Sequence, residues 1–598
     1  MNEQELRSLI DEVKSGSLSR RGFIQGMVGL GLTGPMAAQL LTHAGVAQAQ
    51  SISAQYKPTR RGGGGPLRLL WWQAPTLLNP HFATGTKDQD ASRIFYEPLA
   101  EWDADANLVP LLAAEIPSLQ NGGLSRDGTT VVWKLKQGVQ WHDGKPFTAD
   151  DVIFNWQYSI DPATAAVSIG SYREIRQIDK IDTYTVRIVF KKPKPHWADP
   201  FVGNYGMIIP RHLFQAYIGG KSREAPNNLK PVGTGAYKFV DFKPGDVVKG
   251  ELNAAYHIPN RPFFDTIEMK GGGDAVSAAR AVLQTGEFDF AWNMQVEDEI
   301  LKRFEQGGKG RVGISQTGHI EHIQVNTCDP WTEVDGERSS LKTRHPLLSD
   351  PAVRDALNVL VDRTAVQENI YGRTGIATRN FLNNPARFRS PNNKFEFNID
   401  KANQVLEAAG WKKGADGVRA RDGKPLKLVF QTSINAPRQK TQAVIKQACQ
   451  KAGIELELKA VMASVFFSSD AGNNDIYPKF YCDLQMYNTT MTSTDPEFFM
   501  NQFCSWEAST KDNKWQGRNI TRFRNDDYDK AYRAAETELD PVKRAALFVR
   551  MNDIVVDARV VIPIVNRPNV QAVNSKLVAP MSGWSNNTWY IQDWYREA

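Results

Sequence analysis

Three patterns in this chain carry residue types that can do chemistry, and none has the layout its chemistry requires. Gly308, Gly310 and Gly313 spell G-x-G-x-x-G, the spacing with which amides at a helix N-terminus cradle a pyrophosphate. The segment before them (300–306) has helical spacing and the one after reads as a strand. That reverses the strand-turn-helix order, so dinucleotide binding is not expected. His319, Glu321 and His322 sit in that strand, where His319 and Glu321 share a face and His322 points the other way, which argues against a shared zinc. The carboxylate pairs Asp150-Asp151 and Asp526-Asp527 open helices, where the macrodipole accounts for them without catalysis. G-x-S-x-G, the P-loop, H-E-x-x-H and C-x-x-C are all missing, and the nine histidines are scattered. No catalytic residue, no metal and no cofactor is therefore assigned.

A chain without a reactive centre has to be read for what it holds. Its 598 residues exceed the roughly 250–300 that one core supports, so more than one domain is needed. A composition of 41% hydrophobic and 23% charged residues excludes disordered and fibrous classes. The net charge of +6 comes from interleaved signs, so no nucleic-acid partner is implied.

The N-terminus carries an address. Ser19-Arg20-Arg21-Gly22-Phe23-Ile24-Gln25 resembles the twin-arginine export motif and precedes a glycine-broken apolar stretch, Met27 to Leu41. That stretch falls short of the ~20 apolar residues a membrane span needs, and Ala47-Gln48-Ala49 offers a small-x-small cleavage site. Residues 1–49 thus read as a signal peptide and 50–65, ending in four glycines, as a flexible linker. The mature chain is expected in the periplasm. Of four cysteines, Cys449 falls on the apolar face of a helix and reads as a buried thiol. Cys482 and Cys504 flank a loop-rich segment and are the candidate disulfide, while Cys328 has no evident partner.

The positioning elements alternate. Leu67 to Trp72 reads as a strand, Thr130 to Leu135 as another, and Thr148-Ala-Asp-Asp151 as a capping box opening a helix. Thr266 to Lys270, a helix capped by Asp274 and the strand Glu287 to Trp292 form one strand-helix-strand unit. Leu426 to Thr432, a helix capped by Asn435 and stopped at Gly453, and the strand from Ile454 form a second. Such units imply an α/β protein with mostly parallel sheet. Their separation implies two sheets, in two lobes with a cleft between.

The stretch Asp127-Gly128, Val132-Trp133-Lys134-Leu135-Lys136-Gln137-Gly138-Val139 and Trp141-His142-Asp143-Gly144-Lys145-Pro146-Phe147-Thr148-Ala149-Asp150-Asp151-Val152 resembles the signature of the family 5 extracellular solute-binding proteins, the peptide- and nickel-binding components of ABC importers. Asn79-Pro80-His81, Pro231 to Tyr237, Asp350 to Asp362 and Thr494-Asp495-Pro496 extend the resemblance across nearly all of residues 66–598. It implies the type II periplasmic binding protein fold of the large peptide-binding class. Lobe I would comprise 66–100, 195–318 and 565–598, with a subdomain inserted at 101–194, and lobe II would comprise 319–564. The implied partners are a small-molecule ligand and an ABC transporter permease in the inner membrane, and the receptor is expected to be a monomer. A metal-chelate receptor of the nickel type, or a secreted hydrolase, is the alternative.

Two departures bear on the ligand. Where dipeptide-binding members hold the ammonium with an Asp and the carboxylate with an Arg, this chain has Thr492 and Thr432. An unmatched buried charge costs about 3–5 kcal/mol, so a dipeptide zwitterion is not expected, although Arg438 and Lys440 lie a turn away. Strand ends and loops propose the cleft lining: Phe82, Thr84, Gly85, Thr86, Trp292, Asn293 and Gln295 from the first lobe, and Thr432, Ser433, Asn435, Arg438, Tyr487, Asn488, Thr489, Thr492 and Asp495 from the second. Aromatics with hydroxyls and amides suit a small polar ligand, peptide-like, opine-like or a sugar conjugate.

Overall fold

The computed structural model describes residues 8–10, 12, 23, 27 and 56–597, apart from 84, 105, 468–471 and 492. All of the twin-arginine motif but Phe23, the cleavage site, Thr84 and Thr492 lie outside the described residues.

Thirteen strands carry the argument: β1 (Pro66–Trp71), β2 (Thr130–Lys134), β3 (Ile175–Asp182), β4 (Thr185–Phe190), β5 (Tyr237–Lys243), β6 (Val247–Leu252), β7 (Thr266–Gly271), β8 (Phe290–Ala291), β9 (Gly310–Val325), β10 (Lys427–Ser433), β11 (Glu455–Val461), β12 (Leu484–Thr489) and β13 (Val561–Asn574). The helices that matter are α1 (Thr86–Arg93), α2 (Ala149–Ile160), α3 (Ala275–Leu283), α4 (Asp298–Glu305), α5 (Pro351–Val359), α6 (Ala436–Ala452), α7 (Asp526–Ala535) and α8 (Pro541–Asp557). Local sequence explains their ends. The Asp274 carboxylate accepts from the amides of Val276 and Ser277 at the start of α3. The Asn435 side chain caps α6, and Gly453, at φ 81°, ends it in the left-handed conformation that a side chain disfavours.

The fold is two-lobed α/β, but its sheet is not divided as expected. The main sheet runs β11-β10-β12-β9-β13-β8-β1-β7-β6-β5 without a break. Parallel pairs β1–β7, β1–β8, β10–β11 and β10–β12 occupy the two flanks. The middle and one edge are antiparallel: β9 pairs with β13 and β12, and β5–β6–β7 form a meander. The expectation of two separate, mostly parallel sheets missed β9 and β13, whose 16 and 14 residues weld the two flanks. A short β8 replaces most of the predicted strand 287–292.

Core membership shows why this remains two lobes. Leu67, Leu69, Trp71 and Phe290 pack with Val573 of β13 and with Trp133 and Ile188 of the small sheet β2-β4-β3. Leu428, Phe430, Leu456 and Leu357 pack with Ile323 of β9 and Ile562 of β13. Each long strand therefore places one end in one core and the other end elsewhere, Val312 of β9 lying against a satellite cluster with Leu70 and Ala279. Between the ends the β9–β13 ladder is interrupted, its register shifting between Ser315 and His319 and again between Glu321 and His322.

Among the described residues all four cysteines are buried free thiols, so the expected Cys482–Cys504 bridge is not formed. The two lie in different clusters: Cys482 with Phe466, Phe480 and Tyr487, and Cys504 with Phe499, Phe503 and Tyr528. Flanking a loop in sequence did not bring them to bonding distance.

Candidate ligand-binding cleft

The interrupted part of the β9–β13 ladder carries a knot of charge. Glu321 accepts two hydrogen bonds from Arg438, Nε to Oε2 and Nη2 to Oε1, both 3.0 Å, and an ion pair with Arg567 at 3.3 Å. Arg438 also donates to Ser433 Oγ at 2.8 Å. Arg567 donates to Asn293 Oδ1 at 3.1 Å. Burial alone would raise the Glu321 carboxyl; Arg438 and Arg567 hold it below the usual carboxylate range instead. His319, across the ladder from Arg567, is pushed down to about 3 by burial and by that cation.

This knot joins residues that the expected division places in both lobes. From the first, Trp292 stacks on Trp71 (6.2 Å, 4°) and Trp72 (6.0 Å, 27°). Asn293 follows at φ 58°, a conformation Asn tolerates better than most residues. Gln295 then accepts from Asn435 Nδ2 at 3.0 Å, and Lys440 pairs with Glu297 at 2.6 Å. Further along the same boundary, Arg373 pairs with Asp298 of α4 at 2.7 Å. The loop after β4 makes two more such contacts: Lys194 pairs with Glu497 at 2.9 Å and His196 Nε2 meets Ser493 Oγ at 3.1 Å.

The expected lining residues separate into three groups. Asn293, Gln295, Ser433, Asn435 and Arg438 converge, with Trp292 beside them. Asn488 belongs with them, facing Glu321 across the β9–β12 ladder with its Nδ2 buried and unpaired among the described residues. Tyr487 and Thr489 form a second surface. Tyr487 packs against His322 (4.8 Å), Tyr477 (5.3 Å), Phe466 and Phe467, and Thr489 Oγ1 approaches His322 Nε2 at 3.5 Å. The rest are committed elsewhere. Thr432 donates to Met486 O at 2.7 Å. Phe82 lies under the Arg223 guanidinium, 3.6 Å from its ring centroid, in the first core. Gly85 and Thr86 cap and begin α1. Asp495 is held by Arg544, whose Nη2 donates at 3.0 Å; burial would raise this carboxyl, but Arg544 and His196 take it far below its ordinary value. Arg438, solvated on a simple reading of a first helical turn, is buried because Glu321 lies beneath it.

Sequence reasoning missed Arg567 and the pairing role of Glu321. The signal was present in the His319/Glu321 face of β9; what was lacking was the knowledge that β13 lies beside it.

A family model, bacterial extracellular solute-binding proteins, family 5 (middle), matches residues 107–511. The chain belongs to that family. The oligopeptide-binding protein AppA of Bacillus subtilis is 28% identical over 422 residues, 69% of this chain and 72% of that protein. The glutathione-binding protein GsiB of Escherichia coli K12 is 26% identical over 57% of this chain and 60% of its own length. Among solved structures, B. subtilis AppA with a nonapeptide has a TM-score of 0.72 at 23% identity, covering 91% of this chain and all of that one. NikZ of Campylobacter jejuni with Ni(L-His) has a TM-score of 0.73 at 21% identity, covering 89% and 99%. Both solved structures share the fold.

Proposed function

We propose that this protein is the periplasmic solute receptor of an ABC importer. It captures a small polar ligand between its lobes and presents the closed form to a membrane permease. The observation that carries the reading is the pair of long strands β9 and β13, each running from one lobe toward the other, with an interruption of their ladder next to side chains supplied by both lobes. Such a double crossing permits hinge closure. A ligand that touches both lobes favours the closed state, because only differential affinity shifts a conformational equilibrium. The residues between Ser315 and His319 are the proposed flexing point. The lobe divisions expected above, with 101–194 as an inserted subdomain, belong to the same proposal.

Membership in a family of binding proteins supports a receptor without catalysis, and the receptor is proposed to act as a monomer. Export by the twin-arginine route is proposed from Arg20-Arg21 and the apolar stretch after them. Peptide-like ligands are favoured by the names of the relatives AppA and GsiB.

The deciding experiment is native mass spectrometry of the exported protein, followed by identification of whatever is released on unfolding. One bound small molecule per chain, recovered unchanged after incubation, is expected. Conversion of that molecule would replace the receptor reading with an enzymatic one. Stoichiometric nickel in the same sample would replace it with the metal-chelate reading.

A further inference from the structure

The segment after β4 meets α7 and α8 through carboxylates that have second partners. Lys194 pairs with Glu497 at 2.9 Å and Lys192 with Glu536 at 3.4 Å. Glu497 also accepts from Arg544 Nη2 of α8 at 2.9 Å, and Glu536, just after α7, also pairs with Arg533 at 3.1 Å. Arg544 is anchored in turn: it pairs with Asp495, and its Nε donates to Ala535 O at 2.8 Å. Withdrawing the two lysines therefore strands no carboxylate, and the usual penalty for breaking a buried pair does not apply. A lysine ammonium is compact, strongly hydrated and carried on a flexible stem. It returns to water readily.

The two sides of this contact are built on different cores. Val186, Ile188 and Phe190 of β4 pack with Trp133 in the first cluster, whereas Phe499, Tyr532, Ala535 and Phe548, around Glu497, Glu536 and Arg544, belong to another. What lies between is thinly packed. Leu539 stands so close to Gly128 that a Cβ there would come within 2.7 Å of it, and Phe498 lies 4.0 Å from a Cβ placed on Gly170, yet Leu539 remains 43% exposed and Phe498 54%. Gly128 is tied to the lysine segment, its carbonyl accepting from Lys194 N at 2.9 Å. From the expected first lobe and its inserted subdomain, Trp102, Ala106 and Trp584 alone reach the second cluster among the described residues. Paired charges and half-exposed apolar groups are the make-up of a contact that forms and breaks, since permanent interfaces are larger and more apolar.

We propose that this contact is an electrostatic latch: Lys192 and Lys194 engage Glu536 and Glu497 as the lobes close and release them as the lobes open, so that the closed population is set in part by residues that never touch the ligand. The inference rests on the receptor reading and on the lobe division expected with it. The converging cleft residues Asn293, Gln295, Ser433, Asn435 and Arg438 have other partners. Apparent affinity falls with the fraction of molecules in the binding-competent state. The latch therefore scales the affinity for every ligand by one factor and leaves selectivity to the cleft.

Small-angle X-ray scattering of the full exported chain, stripped of any co-purifying molecule, tests this without a ligand, each profile being fitted as a mixture of the closed arrangement and an opened one. Replacing both lysines, Lys192→Ala with Lys194→Ala, is expected to raise the open-to-closed ratio about three- to tenfold, the size that two partly exposed ion pairs support. Circular dichroism should be unchanged, because Arg533 and Arg544 keep the carboxylates paired. Lys192→Arg with Lys194→Arg should restore the wild-type ratio. An unaltered ratio in the alanine variant, or an arginine variant as open as the alanine one, overturns the latch. Should the double alanine variant fail to fold, Lys192→Glu alone, at a part-exposed position, is read in the same way: it opens the protein or the latch is refuted. The receptor reading is decided separately by the molecule released in native mass spectrometry. Scattering indifferent to the lysines overturns the latch and leaves the receptor standing, whereas conversion of that molecule removes the receptor and this inference with it.

Discussion

Arg438 and Arg518 both bring a guanidinium to the face where the lobes meet, and the protein treats them oppositely. Arg438 meets Glu321 through two hydrogen bonds and is relayed through Arg567 to Asn293 of the first lobe. Arg518 is part-buried over the Phe498 ring, with the Glu507 carboxylate nearby but in no direct ion pair with it. A satisfied buried ion pair makes a structure specific, because removing either partner strands the other. A part-buried cation that shares no direct ion pair contributes less to the structure. The difference separates a charge knot that shapes the structure from a cation that does not, and stability measurements can test it without knowing the ligand.

The largest effect is expected at Glu321. Glu321→Gln leaves Arg438 and Arg567 facing each other with no anion, and urea unfolding at pH 7 should show a loss of about 3–5 kcal/mol. A loss below about 1 kcal/mol would mean that water already screens this knot, and its contrast with Arg518 would collapse.

His319 gives the next effect, and it depends on pH. Its folded pKa, about 3, lies below the ordinary 6.5 because of burial and Arg567. Below pH 6.5 the unfolded chain takes up a proton that the folded protein refuses, so stability falls as the pH drops from 6.5 toward 3 and is unaffected above 6.5. Near pH 5 the slope from this residue is about 1.4 kcal/mol per pH unit, or about 2 kcal/mol lost between pH 6.5 and 5. His319→Gln should flatten the measured slope by about one proton. An unchanged slope would show His319 to be solvated, and the charge knot with it.

Arg518→Met should cost little. It forfeits a cation–ring contact at a part-buried guanidinium, worth roughly 0.5–1 kcal/mol, so the urea stability of the protein should stay within about 1 kcal/mol of wild type. A loss as large as that of Glu321→Gln would place Arg518 among the structural arginines.

How far these two regions were legible in the sequence follows from the range of the interactions that build them. Helix ends could be read because a cap is local: Asp274, Asn435 and Gly453 act within a few residues. The residue types flanking strand ends proposed Asn293, Gln295, Ser433 and Asn435 as cleft candidates, and the structure links them through Arg567, Asn435 and Arg438. The joining of the flanks into one sheet was not legible, because β9 and β13 lie some 250 residues apart and nothing in either announces the other. The partners of charged residues were hidden for the same reason: Glu321 lies 117 residues from Arg438 and 246 from Arg567. Arg518 gave no signal, since nothing in a lone loop arginine announces that the Phe498 ring lies under it.

The smallest expected effect is none, and it concerns what holds the Arg518 loop in place. A bridge between Cys482 and Cys504 would tie the residue after which the loop begins to the cluster containing Tyr487, and reduction would then loosen the loop. The structure assigns that task to hydrogen bonds. Cys482 Sγ donates to Leu484 O at 3.5 Å, and the Cys504 carbonyl is held by Asn519 Nδ2. Burial raises the pKa of both thiols well above the ordinary range, which withholds the thiolate needed for oxidation. Thiol titration of the denatured protein without reductant should therefore count four free cysteines per chain, and the melting temperature should be the same with and without reductant. A count of two, with a melting temperature lowered by reductant, would show that the loop is locked covalently and that Asn519 is not what fixes Arg518.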